Sequence, residues 1–218
     1  MRRSPRPHSV LSPQSSVLLL LLLTGCNVVG PVAQIVGGPP TVDAVYKPAR
    51  EPMVVVVENF QRPSDAYADA EMLARTLHDE LDRENIAPLV PMEKLYALRA
   101  NRPADFHKMS IAAIGKELGA KQVLYVDLEQ ASIEASPGSD MLRGKATVLV
   151  RVVDTETGRS RWPKDIAEGY PVNYESPPPR YDVAANESVV RNALYRGLAV
   201  RIGQLFHKWT PGDGGPQG

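Results

Sequence analysis

Asp127 and Glu129 flank Leu128 in a stretch that alternates like a strand, which would set both carboxylates on one face. A carboxylate pair of this kind can do acid–base work on a glycosidic bond, and a half-exposed sheet face carries the same pattern. The histidines offer less. His78, His107 and His207 fall in three separate elements, and none has the His-x-x-x-His or His-x-x-Glu spacing of a zinc site. No serine stands in Gly-x-Ser-x-Gly. Gly115-Lys116 and Gly144-Lys145 lack the upstream glycine of a phosphate-binding loop. The residues therefore predict no catalytic constellation, no metal and no cofactor. Cys26 is different, as the single thiol of the 218-residue chain. Before it come a basic head with Arg2, Arg3 and Arg6, an apolar run over 17–23, and the small residue Gly25. That order makes a secretory signal. Seven apolar residues are far short of the roughly 20 that a spanning helix needs.

Leu23-Thr24-Gly25-Cys26 resembles the lipobox of bacterial lipoproteins. The resemblance implies cleavage between Gly25 and Cys26, a diacylglycerol on the Cys26 thiol, and an acylated new amine carrying a chain such as palmitate. Two acyl chains anchor a protein stably, whereas one holds it marginally. The resemblance also implies an address. Asn27 stands where an Asp often retains a lipoprotein at the inner membrane, so the periplasmic face of the outer membrane is expected.

Loss of residues 1–25 would leave 22 basic and 25 acidic residues, a net charge of −3. Nothing there suggests a nucleic-acid surface. With Cys26 acylated no thiol remains for a disulfide, so stability must come from a packed core. Residues 26–50 contain Gly37-Gly38-Pro39-Pro40 and Pro48 without helical period, and they predict an acylated tether. Residues 51–209 predict one mixed α/β domain, and 210–218 a disordered tail.

Within the domain, 53–60 is a β-branched apolar run that suits a strand covered on both faces. Ala70, Leu73, Ala74, Leu77 and Leu81 follow helical spacing, with Ser64 or Asp65 as cap and Asn85 as a left-handed stop. Further strands are predicted over 86–90, 123–133, 146–154 and from 159 onward, the last an irregular edge because of Pro163 and Pro171. Short helices are predicted over 92–100 and after Ser110, with a loop over 101–108. A last helix starts near Asn186 and carries Val190, Leu194, Leu198 and Ile202 on one face. The expected fold is α/β (α+β): a mixed five-stranded sheet in the order β-α-β-α-α-β-β-β-α, with helices packed on it.

Val150-Arg151-Val152-Val153-Asp154-Thr155-Glu156-Thr157-Gly158, followed by Trp162, resembles the curli-secretion (CsgG-like) lipoprotein family. Glu117-Leu118-Gly119-Ala120-Lys121 is similar to that family's entry to a strand. Comparable layouts occur in LpoB-like activators of peptidoglycan synthases and in the amino-terminal domain of TolB-like proteins. The resemblance implies a mixed α/β envelope domain. The connections over 134–145 and 163–186 are too short or too polar to supply two spanning hairpin strands each, so a secretion pore is not expected.

The leading expectation is a membrane-anchored, non-catalytic envelope lipoprotein that binds a protein partner, or itself, in envelope biogenesis. Its expected surfaces are the edge around Tyr170 and Tyr174, the loop over 136–144, and the basic face of the last helix with Arg191 and Arg201. Glu187 stands four residues before Arg191, so a local ion pair competes with that use. The alternatives are a ring-forming transport component and a cell-wall enzyme using Asp127 and Glu129. No nucleic acid or small-molecule substrate is expected.

Overall fold

The computed structural model describes residues 40–59, 67–135, 141–177 and 186–212. The chain divides into two units, residues 1–41 and 42–218. Only Pro40 and Thr41 of the first are among the described residues, so the signal, Gly25 and Cys26 lie outside them.

The second unit is a mixed α+β domain. Its order is β1 (Met53–Glu58), α1 (Tyr67–Arg83), α2 (Met92–Asn101), α3 (Pro103–Phe106), α4 (Ile111–Glu117), β2 (Gln122–Ala135), β3 (Leu142–Asp154), β4 (Ser160–Trp162), β5 (Tyr170–Glu175) and α5 (Glu187–Gly203). β1 runs parallel to β2, with Val55 opposite Leu124. β2 and β3 form a long antiparallel hairpin that continues out to Ala135 opposite Leu142. β4 and β5 both pair with β3, one after the other along its far side. Five strands and a mixed sheet match the expected class.

The single return strand expected from 159 onward is two, β4 and β5, and two further expected elements differ. Residues 86–90 make one bridge, Leu89 to Met53, in place of a strand. Pro88 interrupts that stretch and Pro91 follows it, and proline has no N–H to give a ladder. The loop expected over 101–108 contains the single turn α3, with Pro103 in its first turn, where the missing N–H costs nothing. Local chemistry sets the remaining boundaries. Ser110 Oγ accepts from Ala113 N to cap α4, and Asn186 Oδ1 accepts from Val189 N to cap α5. Asn85 takes φ of 49° after α1.

The sheet has two unlike faces. α1 and α5 cover one, packing Leu73, Leu77, Leu81, Leu194, Leu198 and Ile202 onto Val55, Leu124, Val126, Val148 and Val150. On the other face, Leu95 of α2, Phe106 of α3 and Ile114 of α4 close over Val54, Val56, Val123 and Tyr125. β1 is thus covered on both sides, as its unbroken valine run demands. On the second face this cover reaches Val153 of β3, and among the described residues none lies over the rest of β3 or over β5. Lys145, Pro171, Asn173 and Glu175 are exposed there.

Residues 42–50, expected within the tether, lie against the domain. Val42 and Trp209 exchange backbone hydrogen bonds of 2.8 and 3.0 Å, and Tyr46 N donates to Leu205 O at 3.0 Å. The Tyr46 ring stacks on Trp162 at 5.7 Å. The buried Gln122 amide donates to Ala49 O at 2.7 Å and Glu51 O at 3.1 Å. Aromatic stacking and satisfied buried amides outweigh the freedom that a solvated tether would keep.

Candidate functional site

The uncovered half of the sheet runs into a cleft of 1310 Å³ between the end of β1, the start of α1, helices α2 to α4 and the centre of β2 and β3. Glu58 enters from the last position of β1, Tyr125 and Asp127 from alternate positions of β2, and Arg151 from β3. Strand pairing places Tyr125 opposite Arg151. Arg99 of α2 and Tyr67 of α1 form the opposite rim.

Charges and rings interleave here. Tyr125 Oη donates to Glu58 Oε2 at 3.3 Å. Burial, then the charges of Glu58 and Asp127, push the Tyr125 phenol well above its usual range, so it stays a donor. The Arg151 guanidinium lies 5.1 Å from the Tyr125 ring centre. Arg99 lies 5.4 Å from the Tyr67 ring centre and 4.7 Å from that of Phe106, and its nitrogen is 3.6 Å from Glu58. Cations held over aromatic faces keep their charge while shedding part of their water. Arg151 Nε is buried without a hydrogen-bond partner among the described residues. Tyr67 remains 47% exposed at the rim.

Of the two carboxylates expected on one face of β2, one borders the cleft. The ladder shifts register between Leu128 and Gln130, so Glu129 sits at a bulge. Asp127 lines the cleft and Glu129 does not. His107 and Ser110 share the lining, and Ser110 Oγ serves as the cap of α4.

Tyr170 and Tyr174 turn toward the core beneath α5, while their neighbours Pro171 and Asn173 face out. Tyr170 packs on Trp162 at 4.9 Å. Tyr174 lies against Gly197, where any Cβ would overlap its phenol. Both tyrosines are thus half-buried, because the period of two puts them with Val172 on the inner side. Arg191 is held by Asp69 of α1, at 2.7 and 3.0 Å, and by the expected partner Glu187. Arg201 remains exposed, with its guanidinium 6.0 Å from the Trp209 ring centre. Of the loop over 136–144, residues 136–140 lie outside the described part.

One grouping has no counterpart in the sequence reading. Glu80, Glu84 and His207 bring their ligand atoms within 4.8 Å of one another. The four-residue spacing of the two glutamates was legible, whereas His207 lies far along the chain.

No family model matches the chain, and no curated protein matches it. Among solved structures, the lipoprotein GNA1162 from Neisseria meningitidis is 14% identical with a TM-score of 0.44, over 64% of this chain and 89% of that one. PelC from Paraburkholderia phytofirmans, solved as a dodecamer, is 14% identical with a TM-score of 0.37, over 78% and 99%. The hypothetical protein CT253 from Chlamydia trachomatis is 13% identical with a TM-score of 0.39, over 71% and 96%. At identities this low the likeness says nothing of activity or partners. Among the described residues no helix is long and apolar enough to cross a membrane.

Proposed function

We propose that this chain is a lipid-anchored envelope protein that works by binding a protein partner in the cleft beside the uncovered half of its sheet. The anchor reading rests on Leu23-Thr24-Gly25-Cys26 behind a basic head and an apolar run. The binding reading rests on one observation. The cleft combines an exposed tyrosine, two arginines against aromatic rings, and two carboxylates, all carried by strands and helices. Tyrosine and arginine dominate the centres of protein interfaces because each buries a large surface and still forms directed polar contacts. A rigid frame for these groups lowers the entropy lost on binding.

The partner segment that suits this cleft is extended and carries an apolar or aromatic side chain beside a carboxylate. The carboxylate would reach the Arg99 or Arg151 guanidinium, and the ring would take the Tyr67 face. The test is capture from detergent-solubilised envelope with the wild-type chain and with Tyr67→Ala/Arg99→Ala. The reading expects a protein recovered with the wild type and lost with the double variant, both chains melting alike. Equal recovery by the two would remove the cleft from the binding surface.

A further inference from the structure

Glu80 is the one charged residue buried in the core among the described residues. A carboxylate in that position demands a compensating cation. It stands on the inner side of α1, against the end of α5, where a Cβ on Gly203 would come within 2.9 Å of Glu80 Cγ. Glu84, just past α1, lies about one turn further on the same side. His207 reaches the pair from the opposite direction. The buried Leu205 and Phe206, and the Trp209 bridge to Val42, fix the chain on both sides of it.

The imidazole lies beside both carboxylates. Its Nδ1 lies 3.0 Å from the Lys208 carbonyl oxygen. The tautomer that donates there leaves a lone pair on Nε2, which is buried and has no hydrogen-bond partner among the described residues. Glu84 Oε2 lies 3.6 Å from the same Nδ1, so Nδ1 is the ring nitrogen that faces this carboxylate.

Arg83 now neutralises Glu80 and lies 3.4 Å from Glu84, with its side chain 60% exposed, so a bound cation would take its place. The three ligand atoms lie within 4.8 Å of one another. A tetrahedral zinc ion needs neighbouring ligand atoms about 3.4 Å apart, so rotamer adjustment of the two glutamates closes the gap. The group borders a cleft of 780 Å³, from which water can supply a fourth ligand.

We propose that Glu80, Glu84 and His207 form a binding site for a divalent transition cation of the zinc class. One imidazole and two carboxylates suit zinc, whereas calcium and magnesium prefer all-oxygen shells. The cation would tie the end of α1 to the chain beyond α5, and through Trp209 to the segment at Val42.

Calorimetric titration of the full chain in detergent, without a histidine tag, with zinc chloride tests this. The expected result is one saturable site per chain that calcium does not displace, with a zinc-dependent rise in melting temperature. His207→Gln and Glu84→Gln should each weaken binding by about tenfold or more, while His107→Gln leaves it unchanged. Glu84 is partly exposed, so its variant keeps the fold and carries the test if His207→Gln proves unstable. Absence of a saturable site, retention of affinity in Glu84→Gln, displacement by calcium, or an equal loss in His107→Gln would each overturn the assignment.

Discussion

Asp154 shows how much one side chain organises. Its Oδ1 accepts from Glu156 N at 3.0 Å and from Thr157 N at 2.8 Å, while its Oδ2 accepts from Arg161 Nη2 at 2.6 Å. Hydrogen bonds from Thr157 and Arg161 hold its carboxyl far below the usual carboxylate range. A depressed pKa stabilises the fold above the unfolded-state value, and that contribution fades as pH falls toward the folded value. The melting temperature gap between wild type and Asp154→Asn should therefore be largest near neutrality. It should narrow below about pH 4, where the unfolded carboxylate begins to protonate. A gap that stays constant from neutral to acid would show that charge plays no part. The turn was legible in Asp154-x-x-x-Gly158 because its bonds are local, and Gly158 takes φ of 70° as that turn requires. Tyr125 on Glu58, Arg191 on Asp69 and His207 beside Glu84 were not legible. Each joins residues distant in sequence that only packing brings together.

At the scale of elements, α5 is the most constrained. Leu198 is fully buried between α1 and the sheet, so Leu198→Ala should cost about 2–5 kcal/mol in denaturant unfolding. Gly197 is a sharper test. Alanine there gains about 1 kcal/mol of helix propensity, but its Cβ would overlap the Tyr174 phenol. Overpacking of this kind costs about 1–3 kcal/mol, so Gly197→Ala should destabilise, and Tyr174→Phe should recover part of the loss by removing the nearest atom. Stabilisation by Gly197→Ala alone would contradict the packing described. The unbroken valine run of β1, the β-branched stretch of β3 and the helical spacing of the α1 leucines were legible in the sequence. Residues 86–90 carried a strand-like composition but had only a single bridge to make. The bulge at Glu129 left no trace in the sequence, because inserting one residue changes facing without changing composition.

For the whole molecule, anchor and domain are separable claims. Cys26→Ala should leave the melting curve of the domain unchanged and move the protein from the membrane to the soluble fraction of the envelope. Continued partition with membranes after signal removal would rule out acylation at Cys26 as the attachment. The central claim, that the cleft beside the open half of the sheet holds a protein partner, is tested most directly inside the cell. A photo-crosslinking residue at Tyr67 should capture a discrete protein adduct that the same residue at the exposed turn position Glu156 does not, and Arg99→Ala should abolish it. The same set of adducts from both positions, or none from Tyr67 in intact cells, would contradict it.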